Sequence, residues 1–233
     1  MDSISIRKSA FFQGVVAGIS IAIGYIPASI AFGFLAKGTG LSFIEAIAMS
    51  MFVYAGAAQY MALNLIALQT GALEMIITTF IVNIRHFLMS AAISGKVEDD
   101  PPFVKALYSF FITDEVFAVT STREHSLSAK FMFGVGLIAY LSWCIHTGIG
   151  YAAGSFLPNS IQESMGIALY AMFIALLVPA AKKSRKVLTL AASAALFNSL
   201  FSLYLPSGWS IIIATLLAAT IVELLSHKGG GKT

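Results

Sequence analysis

Arg85 and His86 belong to the run Asn83-Ile84-Arg85-His86, set inside a segment otherwise apolar from Met75 to Ile93. One Arg at the centre of a transmembrane helix costs about 2.5–3.5 kcal/mol on insertion scales, so this guanidinium needs a partner, a wet cavity or a task. At 3.6 residues per turn, Thr79, Asn83, His86 and Ser90 line one polar stripe and Arg85 points off it. The next apolar segment carries Thr113-Asp114-Glu115. Segment midpoints near Ile84 and Ile112 put Arg85 and Asp114 within about 5 Å of one depth. The short turn from Gly95 to Pro102 makes the two segments antiparallel neighbours. Arg85 is therefore expected to pair with Asp114 or Glu115, each charge lowering the other's burial cost. Adjacent helical residues diverge by about 100°, so the two acids should not both face one neighbour squarely. The chemistry on offer is a site where Arg85 holds a carboxylate while His86, Asp114 or Glu115 relays protons.

The elements that must position these groups are membrane helices. The chain has 233 residues, 58% hydrophobic and 11% charged, with a mean hydropathy of +0.86, far from a soluble domain. It reads as one all-α polytopic membrane domain over residues 1–233. Apolar runs cover residues 11–36, 43–68, 73–94, 103–120, 131–156, 165–181, 187–205 and 209–225. That gives eight crossings, or seven if the fourth segment is re-entrant. With both termini cytoplasmic, the inner side receives Arg7, Lys8, Arg123, Lys130, Lys182, Lys183, Arg185, Lys186, Lys228 and Lys232, and the outer side Lys37, Lys96 and Lys105. The basic tracts read as topology signals, which removes nucleic acid as a partner. Shared residues at a shift of 121 suggest a weak duplication of 11–120 in 131–226.

The first segment would measure about 39 Å, too long to stand upright, and holds Gly24-Tyr25-Ile26-Pro27. Proline removes a backbone donor, so a break or sharp kink is expected there, with Pro27 suited to opening a half-helix whose positive end could take a substrate carboxylate. The second segment carries Ala55-Gly56-Ala57-Ala58-Gln59, where Gln59 wants a hydrogen-bond partner. Together Gly24, Tyr25, Pro27, Gln59, Asn83 and Arg85 are the candidate substrate contacts, and His86, Asp114 and Glu115 the candidate proton carriers. Phe32, Phe52, Met61 or Phe173 would wall an aliphatic side chain. No metal-ligand spacing or nucleophile motif stands out, so neither a metal, a cofactor nor an enzyme activity is expected. The lone Cys144 sits in an apolar run and reads as a small buried hydrophobe. The tail Gly229-Gly230-Gly231-Lys232-Thr233 lacks the spacing of a phosphate-binding loop.

Gly24-Tyr25-Ile26-Pro27 with Ala31-Phe32-Gly33, Ala55-Gly56-Ala57-Ala58-Gln59, Asn83-Ile84-Arg85-His86, Thr113-Asp114-Glu115 and Ala171-Met172-Phe173-Ile174-Ala175-Leu176, in that order, resemble the AzlC family. This is the large subunit of two-component branched-chain amino-acid exporters. The resemblance implies a bacterial inner-membrane exporter of valine, leucine, isoleucine and sometimes methionine. It also implies drive by the proton gradient and a small AzlD-type partner subunit. A channel, or a membrane assembly component without flux, is the competing expectation.

Overall fold

The Ser9 hydroxyl accepts from the Phe12 amide and opens the first helix, α1, Ala10–Gly38, as N-cap serines do. The computed structural model describes residues 9–154, 174, 177–178 and 180–229, and every regular element among them is helical. Arg7, Lys8, Met172, Phe173 and Lys232, all used in the sequence reading, lie outside the described residues, as does most of the expected sixth segment, 165–181. By contact the chain divides into two compact units, Met1–Tyr60 with Asn83–Gly166, and Met61–Val82 with Ile167–Thr233.

In the first unit α1 runs unbroken for 29 residues with Pro27 inside it, so the expected break at residues 24–27 is absent. Proline there forfeits one bond, to the Ile23 carbonyl, a loss that packed membrane helices tolerate. What holds α1 is its contact with α7, Ala129–Ala153. A Cβ on Gly14 would strike the Phe131 carbonyl, and one on Gly150 the Ile30 carbonyl. Glycine alone permits so close a backbone approach. Gly14 faces Phe131 and Gly134, Gly18 faces Val135 and Ile138, and Gly33 faces Thr147 and Tyr151. Contacts advance together along both helices, so α1 and α7 run in the same direction.

The second segment, expected as one crossing, reverses instead. Its first arm is α2, Phe43–Ala48, continued by a π-helical turn at Met49–Val53. Ser42 and Glu45 form a capping box at its start. The Phe43 ring meets Tyr151 at 5.5 Å, and the Tyr54 ring meets Tyr140 at 5.0 Å, so this arm descends α7. At Tyr54 the backbone is left-handed, with φ 43°. The chain then re-forms as α3, Gly56–Ala67. Gly56 lies against Trp143, and the Tyr60 hydroxyl donates to the Ala28 carbonyl at 2.7 Å, its ring 5.6 Å from Phe32. Those partners stand beside residues 147–151 of α7, so α3 climbs back the way α2 came.

The fourth segment does the same from the opposite end. α5, Pro102–Ser109, rises along α7, bringing Tyr108 to Phe133 at 6.1 Å and then Phe111 to Tyr140 at 5.5 Å. After a turn, α6, Asp114–Ser121, begins at an N-cap Thr113. It returns until Arg123 reaches Gln13 at 3.2 Å and lies over the Phe131 ring at 3.8 Å. Past the end of α4, Ala72–Ile93, the Lys96 ammonium donates to the Ser121 and Arg123 carbonyls. Lys96 and Arg123 therefore share one face, which corrects the expectation that set them on opposite sides. Here α4 runs counter to α1 and α7.

The second unit contains α8, Arg185–Phe201, and α9, Ser207–Gly229. They pack together through Ser210, which donates to Asn198 Oδ1 at 2.9 Å, and through a Lys186–Glu223 ion pair at 2.6 Å. Glu74 accepts from the Trp209 amide at 3.2 Å. Four helices among the described residues are long and apolar enough to cross a membrane: Ala10–Gly38, Ala72–Lys96, Ala129–Ala153 and Gly208–Ser226.

The α1–α7 contact makes a sharp forecast. Gly150→Leu must push two backbones apart and should cost about 1–3 kcal/mol or more. Gly24→Ala, where a Cβ meets nothing within 4 Å, should be neutral or gain about 0.5–1 kcal/mol of helix stability. Thermal unfolding of both variants in detergent reads the contrast.

Candidate functional site

Arg85 and Asp114 meet at 2.6 Å, Nη1 to Oδ2, with side chains 32% and 28% exposed. This is the pairing that common depth called for. Asp114 is the first residue of α6, where a carboxylate also faces the positive end of the helix. Glu115, one position on, turns to a different neighbour. Its Oε2 accepts from the Tyr25 hydroxyl at 2.6 Å, and that hydroxyl also bonds Thr113 Oγ1 at 2.7 Å. Tyr25 thus ties the middle of α1 to the start of α6, and it is only 4% exposed. Gly24 and Pro27 are exposed on the other side of α1, away from this cluster.

Gln59 is fully buried in a closed hydrogen-bond circuit. Its Nε2 donates to Ser50 Oγ at 3.1 Å, and Ser50 lies 2.8 Å from Thr147 Oγ1, which itself donates to the Trp143 carbonyl at 2.9 Å. The Trp143 indole then donates to Gln59 Oε1 at 3.0 Å. Because Thr147 spends its proton on Trp143, Ser50 must donate to Thr147 and accept from Gln59. The circuit therefore has one direction. It links both arms of the first hairpin to α7 and commits the Gln59 amide to the scaffold.

Asn83 Oδ1 and Arg85 Nε are buried without a hydrogen-bond partner. His86 is partly buried, within electrostatic reach of Arg85 and Glu115. The two hairpin tips touch through rings: Tyr54 lies 5.8 Å from Phe110 and 6.4 Å from Phe111, and both of these meet Tyr140, at 5.9 and 5.5 Å. Of the proposed aliphatic wall, Phe32 is sealed in the core against Trp143, Phe52 is 78% exposed, and Phe173 is outside the described residues. Sequence reasoning missed Tyr54, Tyr140, Ser50 and Thr147. Nothing at Tyr54 signals a left-handed turn, since that conformation favours glycine. Among the described residues no cluster of three or more metal-ligating side chains exists.

These features define a polytopic helical membrane protein that keeps charged and amide groups inside it. More narrowly, the chain belongs to the AzlC family, whose model, described as AzlC protein, matches residues 20–157. It is 33% identical over 178 residues to a membrane protein of Archaeoglobus fulgidus, covering 75% of this chain and 78% of that one. It is 27% identical over 226 residues to the inner membrane protein YgaZ of Escherichia coli, covering 94% and 91%. It is 28% identical over 224 residues to the branched-chain amino acid transport protein AzlC of Bacillus subtilis, covering 94% and 86%. No solved structure matches the chain.

Two substitutions separate scaffold from charge. Gln59→Leu leaves the Ser50 and Trp143 partners unsatisfied at about 1–3 kcal/mol each. In a Trp209→Phe background it should shift Trp143 fluorescence to the blue as the indole loses its acceptor. Arg85→Ala leaves Asp114 unpaired and should cost about 1–3 kcal/mol, between the exposed and buried limits. Arg85→Ala with Asp114→Asn should recover most of that loss, read as the melting midpoint of single against double variant.

Proposed function

We propose that this chain is the large subunit of a proton-coupled exporter of the branched-chain amino acids valine, leucine and isoleucine, with methionine as an occasional further substrate. It works in the bacterial inner membrane with a small AzlD-type subunit. The observation that carries the reading is the half-buried set of Arg85, Asp114 and Glu115, with the buried Tyr25, beside two hairpin tips that enter from opposite ends. Charged groups at membrane depth mark substrate or proton pathways by default. The order of a long helix followed by a hairpin occurs twice, as α1 with α2–α3 and, inverted, as α4 with α5–α6. Inverted repeats with interrupted helices meeting inside the bilayer recur among secondary transporters. In a membrane the two hairpins are re-entrant segments, and the relative named for branched-chain amino acid transport supports the substrate class.

A zwitterion suits this interior because it brings both charges with it. Its carboxylate can take the Arg85 guanidinium, with bidentate geometry open to it. Asn83 Oδ1 and the acids of α6 offer acceptors for its ammonium group, while His86, Asp114 and Glu115 are placed to carry protons. Sidedness follows from charge. Lys96, Lys105, Arg123 and Lys130 gather at the face where α1 and α7 begin, and Lys37 stands at the other. The positive-inside rule makes the first face cytoplasmic and the N-terminus with it. By the same rule the basic tracts of the sequence at Lys182–Lys186 and in the tail are read as cytoplasmic, and the C-terminus with them.

A channel would pass solute down its own gradient, and an assembly component would bind its partner without flux. Labelled leucine efflux from cells carrying this chain, with and without the small subunit, separates the three. The expected result is efflux that requires the chain and collapses with a protonophore. Efflux indifferent to the proton gradient overturns the coupling, and no efflux in any combination overturns the transport reading.

A further inference from the structure

We propose that Glu115, where the two hairpin tips meet, is one seat taken in turn by a proton or by the ammonium group of an amino-acid substrate, with Tyr54 as its second ligand. This rests on the transport reading above and adds to it a residue and a rule of coupling.

Tyr54 is 3% exposed, and its hydroxyl makes no well-formed hydrogen bond, the Tyr25 hydroxyl standing only at the margin of reach. Buried hydroxyls are normally satisfied; those of Thr78 and Tyr108 are unpaired as well, but Tyr54 is the one beside Glu115. Glu115 receives the Tyr25 hydroxyl at 2.6 Å. A carboxylate has about four acceptor positions, so that bond leaves room for an ammonium group. Asp114 is committed to Arg85 at 2.6 Å. Glu115 has no cation within ion-pair distance among the described residues. Tyr54, Phe110, Phe111 and Tyr140 surround the tips with ring centroids 5.0–6.4 Å apart. Their electron-rich faces attract a desolvated cation and repel a carboxylate.

The groups that face this seat come from every neighbouring element. They are Tyr25 from α1, Tyr54 from the first tip, Arg85 and His86 from α4, Asp114 from α6, and Tyr140 and Cys144 from α7. None of the others is an unpaired carboxylate. The exchange balances in charge: the protonated acid releases its proton to water, the carboxylate remains, and the substrate ammonium replaces that proton. A seat holding either cation but never both moves one proton inward for each amino acid carried outward.

Proton release and labelled-leucine binding by the full chain in lipid nanodiscs, alone and with the small subunit, test the seat. Below the pH at which the acid gives up its proton, each leucine bound by the wild type should release about one proton in weak buffer, and affinity should fall about tenfold per pH unit there. Glu115→Gln should bind leucine at least about tenfold more weakly and release no proton. Tyr54→Phe should weaken binding severalfold while keeping the release. Wild-type leucine binding that releases no proton at any pH, and whose affinity does not fall on acidification, overturns the seat even where Glu115→Gln fails to fold. Glu115→Gln binding with wild-type affinity overturns it as well, and both results leave the transport reading standing. A wild type that binds no branched-chain amino acid in either preparation overturns the two together.

Discussion

Backbone-to-backbone contact between α1 and α7 is the constraint from which the first unit follows. In lipid, apolar side chains gain nothing by leaving solvent, so close van der Waals packing must do the work that hydrophobic burial does elsewhere. Gly14 and Gly134 at one end, and Gly33 and Gly150 at the other, let the helices touch along their length. Their parallel sense requires an odd number of crossings between them. Within the first unit α4 supplies one, and the segments before and after it each double back along α7, as α2–α3 and α5–α6.

Each hairpin brings polar backbone ends into the interior, and the side chains present answer that cost. Ser50, Gln59, Thr147 and Trp143 exchange hydrogen bonds in a closed loop with a fixed direction. Thr113 caps α6 by accepting from the Val116 amide, and Tyr25 steadies Thr113 from α1. Buried networks of this kind stabilise only when every member is paired. Seven buried side-chain atoms among the described residues lack a hydrogen bond: Tyr54 Oη, Asn83 Oδ1 and Arg85 Nε belong to the candidate site, and Thr78 Oγ1, Asp100 Oδ2, Tyr108 Oη and Arg123 Nε lie elsewhere.

Much of the site was legible in the sequence, and the limits of that reading are physical. Arg85 was given Asp114 or Glu115 as its partner from depth and a short turn alone, because an ion in hydrocarbon has few ways to be satisfied, and the structure selects Asp114. The divergence of Asp114 and Glu115 followed from helix geometry and is seen in their separate partners, Arg85 and Tyr25. The interruption was sought at Pro27, where a donor is missing, yet it lies at Tyr54, whose residue type gives no warning. A 26-residue apolar run has the length of one crossing and also of two half-crossings, so residues 43–68 were read as a single helix. What distinguishes the cases is contact with α7, which no local pattern records. Gln59 was rightly seen to need a partner, but its partners sit 9 and 84 residues away.

The join between the two tips is made of aromatic faces and edges, whereas each hairpin is pinned to its neighbours by directional bonds. Rings in mutual contact can slide without stranding a donor, so the tips form a slip plane inside an otherwise stiff unit. Any rocking of one arm against the other would concentrate there, at small enthalpic loss.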